Sequence, residues 1–373
     1  MIYLDNAATT FPKPRSVLSA VVDCIRNIGG NPGRGAHTLS LRAAEAVYDA
    51  RCTVADFLGI NDPAKIVFTP NATFAINLAI RCRVRQGDHI LLSDREHNAV
   101  LRPVAYLKER EIADYSVYSG TGDVLSDIQK KETNATAILI CNPVSNVTGE
   151  RLPIRKIAAY AKARGFYLIV DGSQWIGHGK PDPTVVGLAD AIAVPGHKGL
   201  YGIQGSGFLY LNSPEGNAPF LLGGSGSRSA ERSMPKELPD RYEAGTLSTP
   251  AIVSLAAGIR FITDFGLEGI AEREAALVAY ANERLSDIPG VKVYGDPAAG
   301  TSVLSFRVDD TAPEETARRL DRAGIAVRAG LHCAPLVHRT IGTFPTGTVR
   351  LGFGAFNTEK DVDRLLSEVR KTI

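Results

Sequence analysis

Cysteine is scarce in this sequence, and no two cysteines are spaced like a pair of metal ligands. The 373 residues include five cysteines, an odd number with no Cys-x-x-Cys motif. The pattern therefore predicts neither a disulfide framework nor a zinc site. Four of the five lie in apolar, periodic segments, where a small buried hydrophobe is expected: Cys24, Cys52, Cys82 and Cys141. Cys333 is the exception, because RAGLHCAPLVH has no helical or strand pattern, and a loop cysteine is a candidate for function.

The sequence also shows no pattern that would predict a signal peptide, a membrane span or a strongly basic segment. Its first residues, MIYLDNAATT, contain an acid by position 5 and no apolar core. The longest apolar runs, such as AIVSLAAGI, are far shorter than a membrane span. The net charge is only +2, and 44% of the residues are hydrophobic. We therefore expect a soluble cytoplasmic protein without nucleic-acid or membrane partners.

Short apolar runs alternate with helical segments between about residues 15 and 255. KIVFT, HILLS, ATAILIC, FYLIVDG, AIAVPG and GFLYL are typical of strands, and NATFAINLAIRC and IRKIAAYAKARG of helices. Residues 40–58 have helical periodicity and stop at Gly59. This alternation predicts an α/β protein with a mostly parallel, helix-covered sheet.

The pattern of predicted helices and strands changes after about residue 260. A long charged helix over 266–287 is expected, followed by the strand-like VKVYG, TSVLSFRV, IAVRA and TVRLGFG. Further helices are expected near 313–323 and from Thr358. Since a chain of this length is too long for one compact core, we predict two domains. The large domain would comprise residues 15–258, and the small α+β domain residues 1–14 and 259–373.

An aspartate and a lysine carry the strongest chemical signal. Asp171 ends the buried strand FYLIVD, at the sheet edge where open α/β sheets bind ligands. Lys198 follows in PGHKG, between two glycines that would let the backbone approach a ligand closely. A lysine so placed can form a Schiff base with an aldehyde cofactor, and an aspartate can pair with a pyridinium nitrogen. The two residues together therefore favour binding of pyridoxal 5′-phosphate.

The chain resembles class V of the fold-type I pyridoxal phosphate enzymes, in particular the cysteine desulfurases and selenocysteine lyases. The resemblance covers nearly the whole chain, from YLDNAATTFPKP through DGSQ, PGHKG and EAGT to HCA and a later arginine. It implies the fold-type I architecture with a large and a small domain. By position, it implies that Lys198 is the Schiff-base lysine, that Asp171 pairs with the pyridine nitrogen, and that Gln174 bonds the phenolic oxygen.

Several other residues are candidates for the phosphate end of the cofactor. TPNATFAIN places Asn71, Ala72 and Thr73 at a helix start after a strand, where amide groups and a hydroxyl can hold a phosphate. His197 resembles the second phosphate ligand of the family. Thr246, in RYEAGTLSTP, resembles a threonine that reaches the phosphate of the neighbouring subunit, which implies a homodimer.

The substrate end is also implied by the resemblance. His97, in SDREHNAV, resembles a histidine that stacks on the cofactor ring. The resemblance implies that His97 is also a catalytic residue. Asn146 resembles the asparagine that contacts cofactor and substrate. Arg350 resembles the arginine that holds the substrate carboxylate, for which a bidentate guanidinium is well suited.

RAGLHCAP resembles the group II form of the cysteine desulfurases, in which Cys333 would carry a persulfide. His332 and Arg328 would give this thiol the electropositive setting that a reactive cysteine needs. The chain departs from the family at two positions. Leu331 stands where the group commonly has histidine, which removes a possible proton donor. Pro195 stands where serine is common, which removes a phosphate hydrogen bond.

The sequence therefore predicts a pyridoxal phosphate-dependent cysteine desulfurase that converts L-cysteine to L-alanine. The persulfide sulfur would pass to an acceptor protein, for example in iron–sulfur cluster assembly. An aminotransferase, an epimerase or a selenocysteine lyase of the same class is the main alternative, since all would share the cofactor residues. A non-enzymatic scaffold for sulfur relay is a minor alternative.

Overall fold

The computed structural model describes residues 1–33, 35–213 and 218–371. The strands are β1 (Ile2–Tyr3), β2 (Ile66–Thr69), β3 (Asp88–Ser93), β4 (Ala113–Tyr118), β5 (Thr136–Cys141), β6 (Tyr167–Asp171), β7 (Ala191–Pro195), β8 (Gly207–Leu211), β9 (Val291–Tyr294), β10 (Val303–Val308), β11 (Ile325–Ala326), β12 (Arg328–Gly330) and β13 (Thr348–Gly352).

The α-helices are α1 (Arg15–Asp23), α2 (Thr38–Leu58), α3 (Ala72–Arg83), α4 (Asn98–Glu109), α5 (Val124–Lys131), α6 (Ile154–Arg164), α7 (Pro183–Leu188), α8 (Thr249–Phe265), α9 (Leu267–Ser286), α10 (Pro313–Arg322), α11 (Pro335–Thr340) and α12 (Glu359–Arg370). Glycine ends two of them as predicted. Gly59 and Gly165 follow α2 and α6 in the left-handed conformation, which glycine adopts without steric cost.

A seven-stranded sheet in the order β2-β8-β7-β6-β5-β3-β4 forms the centre of the fold. β8 alone runs antiparallel to its two neighbours. Two large hydrophobic clusters cover the faces of the sheet, one including Leu139 and Val170 and the other Ile140 and Ile169. Alternate residues of β5 and β6 thus face opposite cores, which explains why both strands are apolar throughout. The predicted mostly parallel, helix-covered α/β sheet is confirmed.

A second, antiparallel sheet in the order β12-β13-β10-β9 lies in the C-terminal part of the chain. Its hydrophobic cluster includes Leu4, Leu277, Phe306 and Leu365. The first turns of α9 instead pack on the central core, through Leu267 and Ile270. The predicted division at residue 258 stays a prediction.

Three sequence predictions differ from the structure in detail. RAGLHCAPLVH, which has no helical or strand pattern, begins in β12 and ends in α11, and Cys333 lies in the short loop between them. IAVRA forms two short strands instead of one: β11 pairs in parallel with β1, whereas β12 pairs antiparallel with β13. Cys52 is half-buried rather than buried, because α2 turns that side toward solvent, while Cys24, Cys82 and Cys141 are buried.

No single helix in the described ranges is long and apolar enough to cross a membrane. The pair α8 and α9 satisfies length and composition only together, and it is bent by 81° at the break.

Candidate active site

A cavity of about 180 Å³ lies where the central sheet meets the C-terminal sheet. Strands β3, β5, β6 and β7 are parallel neighbours, so their carboxyl ends share one edge of the sheet. The segments that follow these strands carry most of the predicted polar residues. Lining the cavity are Asn71, Ala72, Thr73, His97, Asn146, Asp171, Gln174, His197, Lys198 and Arg350 from the prediction, together with Arg328, His332 and Asn142.

Asp171 and Lys198 both line this cavity. Asp171 is 2% exposed, and its carboxylate accepts a hydrogen bond from the Ser173 amide at 3.0 Å. Lys198 follows β7, and its side chain faces the cavity. Solvent in the cavity can therefore reach part of the side chain, although the residue lies deep in the protein. That depth lowers the pKa of Lys198 to about 8, while Asp171 opposes the shift. About a tenth of Lys198 is therefore the neutral, nucleophilic amine at pH 7, against about a hundredth of that or less for a lysine with its ordinary pKa.

Two histidines beside the lysine are uncharged. Burial lowers the pKa of His97 to about 4, and the nearby Lys198 and Arg328 add to this effect. Burial and Lys198 likewise lower the pKa of His197 to about 4. His97 precedes α4, and its Nδ1 accepts the Ala99 amide at 3.0 Å, which fixes the ring at the helix start. A fixed, neutral ring suits stacking on an aromatic ligand.

The start of α3 has the geometry expected for an anion site. The Asn71 side chain caps the helix by accepting the Phe74 amide at 2.9 Å. The Ala72 and Thr73 amides precede the intrahelical hydrogen bonds and remain for a ligand. Pro195 lines the same cavity and supplies no donor.

The glycines that flank His197 and Lys198 serve a different purpose from the predicted one. A Cβ on Gly196 would lie 2.2 Å from the Ser206 Oγ, and one on Gly199 would lie 2.7 Å from the Ile176 carbonyl oxygen. Both glycines therefore allow close packing of the protein's own segments. This packing holds the lysine loop against its neighbours.

Several buried polar atoms that line the cavity have no hydrogen-bond partner among the described residues. They are Gln174 Oε1, His197 Nδ1, Asn146 Oδ1, His332 Nδ1 and Arg350 Nε. One N–H of Gln174 donates to the Ala7 carbonyl at 2.8 Å, which leaves its other amide hydrogen and the oxygen for a ligand. Since buried polar atoms are almost always satisfied, this set fits a polar ligand with a ring and an anionic group.

Arg350 lies on β13 and is 2% exposed. Its Nη1 donates to the Asn146 carbonyl at 3.0 Å, and its Nη2 donates to the Asp5 carboxylate at 2.9 Å. The Asn146 side chain donates in turn to the His332 carbonyl at 2.8 Å. Arg350 and Asn146 are thus brought together as predicted, with a carboxylate that the sequence reasoning did not assign to the site.

The Cys333 loop follows β12 and adjoins the cavity. The Sγ atom of Cys333 lies 3.6 Å from Nη2 of Arg328, and the Cys333 carbonyl accepts the Asn98 amide at 2.7 Å. His332 and Cys333 both have left-handed backbones, with φ of 49° and 58°. Two successive non-glycine residues in this region are unusual and store backbone strain at the thiol.

The expectation that His332 contributes positive charge to the thiol is wrong. Burial lowers the pKa of His332 well below 6.5, and Arg350 adds to the shift. The neutral ring contacts the Thr348 carbonyl and hydroxyl, both at 3.1 Å. Arg328 is therefore the cation beside Cys333.

Thr246 lies outside the cavity of its own chain. It is exposed in a surface groove, and its hydroxyl accepts from the side-chain Nδ2 of Asn31 at 3.5 Å. Its role toward a neighbouring subunit stays a prediction.

Two carboxylates near the site were missed. Asp5 stands in the quoted YLDNAATT, and Glu96 directly precedes His97. Burial raises the pKa of Glu96 to about 8, and its Oε1 accepts the Ser93 hydroxyl at 2.6 Å and the Asn142 amide at 2.8 Å. Their positions beside recognised motifs were the available signal, but only the fold shows what they contact.

The chain matches the family model described as aminotransferase class-V over residues 2–365. It is 33% identical to a probable cysteine desulfurase from Methanothermobacter thermautotrophicus, with 100% of this chain and 94% of the relative aligned. A probable cysteine desulfurase from Halalkalibacterium halodurans is 34% identical, with 100% and 93% aligned. An apo structure of a cysteine desulfurase from Thermococcus onnurineus superposes with a TM-score of 0.92 at 32% identity, covering 100% of this chain and 94% of that one.

Proposed function

The chain belongs to the class-V aminotransferase family, and from this premise we propose that it is a cysteine desulfurase that forms L-alanine and a persulfide on Cys333. The observation that carries the proposal is the position of the Cys333 thiol. It adjoins Arg328, which lines the same cavity as Lys198. A thiol beside a cation that lines the lysine-containing cavity is arranged for nucleophilic attack on a bound sulfur.

Pyridoxal 5′-phosphate is the cofactor that this family implies, and the cavity residues fit it. Lys198 would bind it covalently, and Asp171 would pair with its ring nitrogen. The α3 start and His197 would hold its phosphate, while Gln174 and His97 would contact the ring. When bound, the cofactor withdraws electrons from the α-carbon of an attached amino acid. Thr246 would complete the phosphate site of a second subunit.

The protein residues would then bind the substrate and move its protons. Arg350 and Asn146 would hold the carboxylate of L-cysteine, which fixes the Cα–H bond relative to Lys198. The Nζ of Lys198, with its pKa of about 8, can accept the Cα proton and return it. The neutral His97 would exclude water from one side of the site.

The sulfur transfer step balances without an added oxidant. The Cys333 thiolate attacks the substrate sulfur, so an S–S bond forms while the Cβ–S bond breaks. The electron pair of that bond stays with Cβ, which gains a proton and becomes the methyl group of alanine. The overall change converts L-cysteine and the Cys333 thiol into L-alanine and the Cys333 persulfide. An acceptor protein would then take the terminal sulfur.

The proposed homodimer is supported by apolar surface near the N-terminus. Exposed side chains concentrate in this part of the chain: Phe11, Leu18, Val22, Ile25, Leu39, Leu41 and Tyr48. Exposed apolar surface of this kind is typical of a subunit interface. Light scattering of the purified protein should give the mass of two chains. The cytoplasmic location and the group II assignment stay predictions.

The decisive experiment measures alanine and sulfide from L-cysteine, with a reductant present, for wild type and Cys333→Ala. We expect wild type to form both products in equal amounts. We expect Cys333→Ala to keep its cofactor absorbance and to lose turnover by at least about a hundredfold, because it lacks the sulfur nucleophile. Cys52→Ser, at a half-buried position on α2, is the matched control and should behave like wild type.

Turnover of L-cysteine by Cys333→Ala at the wild-type rate would contradict the proposed sulfur step. Wild-type activity that instead requires a keto acid would indicate an aminotransferase. Racemisation of an amino acid would indicate an epimerase, and release of selenium alone a selenocysteine lyase. Failure of borohydride to fix the cofactor on Lys198 would favour the non-enzymatic scaffold.

A further inference from the structure

The segment Asp5–Lys13, here called the N-terminal strap, contacts several parts of the active site. It follows β1, which pairs with β11. Ala7 and Ala8 line the cavity, and the Ala7 carbonyl accepts from Gln174 at 2.8 Å. At its start the strap reaches Arg350, and at its end it reaches the lysine loop. One short stretch thus joins the substrate arginine to the cofactor lysine.

The strap is anchored on the lysine loop by an unusual concentration of donors. Four donor atoms lie within 3.2 Å of the His197 carbonyl oxygen: the Thr10 amide at 3.0 Å, the Thr9 hydroxyl at 3.1 Å, the Thr10 hydroxyl at 3.2 Å and the Lys13 ammonium at 3.0 Å. A charged donor makes this anchor stronger than a neutral hydrogen bond would. The strap is therefore fixed relative to Lys198.

We propose that Asp5 is a positioning residue that orients the Arg350 guanidinium for the substrate carboxylate. The inference rests on the proposed function, since it concerns the same amino-acid site. The Asp5 carboxylate accepts from Nη2 at 2.9 Å, and the Asn146 carbonyl accepts from Nη1 at 3.0 Å. These two acceptors prevent rotation of the guanidinium plane. Its Nε is buried and has no partner among the described residues, so it remains for a ligand.

The charges indicate that Asp5 positions Arg350 and does not compete with the substrate carboxylate for it. Arg350 is 2% exposed, whereas the Asp5 side chain is 20% exposed. Burial lowers the pKa of Arg350, and Asp5 counteracts that shift. An uncompensated buried cation is costly, so the arginine would leave its position if Asp5 lost its charge. Asp5 and the Asn146 carbonyl each accept one of the five guanidinium N–H groups, which leaves three donors for a carboxylate.

The test compares binding of L-alanine and L-alaninamide to the cofactor-loaded enzyme by calorimetry. Both probes present the amine, but only L-alanine presents a carboxylate. For Asp5→Asn, we expect about a tenfold weaker Kd for L-alanine and an unchanged Kd for L-alaninamide. In steady state, KM for L-cysteine should rise about tenfold while kcat stays within about twofold. Asp5→Glu should restore part of the affinity, and the exposed Asp264→Asn is the control.

A double-mutant cycle with Arg350→Gln tests whether Asp5 acts through the arginine. Asp5→Asn should weaken L-alanine binding by less than about twofold in that background, because the group it positions is gone. Equal losses for L-alanine and L-alaninamide, or tighter L-alanine binding by Asp5→Asn, would overturn the inference. If the wild-type protein does not desulfurate L-cysteine, the proposed function is contradicted. The comparison of L-alanine with L-alaninamide binding would still test the role of Asp5.

Discussion

The two sides of the active site are built in different ways. The cofactor side comprises Asp171, Gln174, Lys198, His97 and the start of α3, and all of them end or follow strands of the central, mostly parallel sheet. The substrate side, comprising Asp5, Arg328, Cys333 and Arg350, comes from both ends of the chain and from the second sheet. Strand ends position the first set, whereas contacts between distant segments position the second. Variants of each side should therefore fail in different ways.

The largest difference in effect between the two sides is expected when Lys198→Ala is compared with Cys333→Ala. Lys198→Ala should lose borohydride-fixable cofactor and at least a thousandfold in turnover, because the covalent attachment and the proton carrier are both removed. Cys333→Ala should keep the cofactor. Absorbance and mass spectrometry measure the difference, with the exposed Lys156→Ala as control. Equal loss of cofactor in both variants would remove the distinction between the sides.

The cofactor side should also show its own pH dependence. Lys198 has a pKa lowered to about 8, and only its neutral form attacks the cofactor aldehyde. The rate of cofactor uptake by cofactor-free protein should therefore rise nearly tenfold from pH 7 to pH 9 and level off above about pH 9. Stopped-flow absorbance measures the rate. A rate still rising steeply at pH 10 would mean that the lysine has its ordinary pKa of about 10.5.

On the substrate side, Arg328→Gln should slow alkylation of Cys333 by iodoacetamide roughly fivefold at pH 7. The guanidinium lies 3.6 Å from the Sγ atom, where its positive charge attracts an anion, and the thiolate is the form that iodoacetamide alkylates. Cofactor binding should not change. Peptide mass spectrometry distinguishes Cys333 from the other cysteines, and Arg322→Gln on the exposed face of α10 is the control. An unchanged alkylation rate would mean that Arg328 does not activate the thiol.

A smaller effect is expected from Asp361→Ala, which does not line the cavity. Asp361 accepts the Thr358 amide at 2.9 Å and caps α12, whose apolar face packs in the cluster of the second sheet. Its loss should lower the free energy of unfolding by about 1 kcal/mol and leave cofactor affinity unchanged. Denaturant titration measures this, with Lys360→Ala as control. A matching fall in cofactor affinity would show that the two sides are energetically coupled.

The same contrast explains what the sequence could predict. β6 and β7 carry uninterrupted apolar runs, so Asp171 and Lys198 could be placed at one sheet edge from spacing and residue type. Asp5 could not be placed there, because its partner Arg350 is 345 residues away and no local pattern encodes that contact. The neutral state of His332 was missed for a related reason: adjacency in sequence suggested charge, but burial decides it.

The pairing of Asp5 with Arg350 also constrains the order in which the cofactor site and the amino-acid site form during synthesis. Strands β2 to β8 emerge from a ribosome long before Arg350 does, so the sheet with its lysine can assemble first. Asp5 cannot pair with Arg350 until nearly the whole chain has emerged. A nascent chain could therefore acquire its cofactor before it can bind an amino acid.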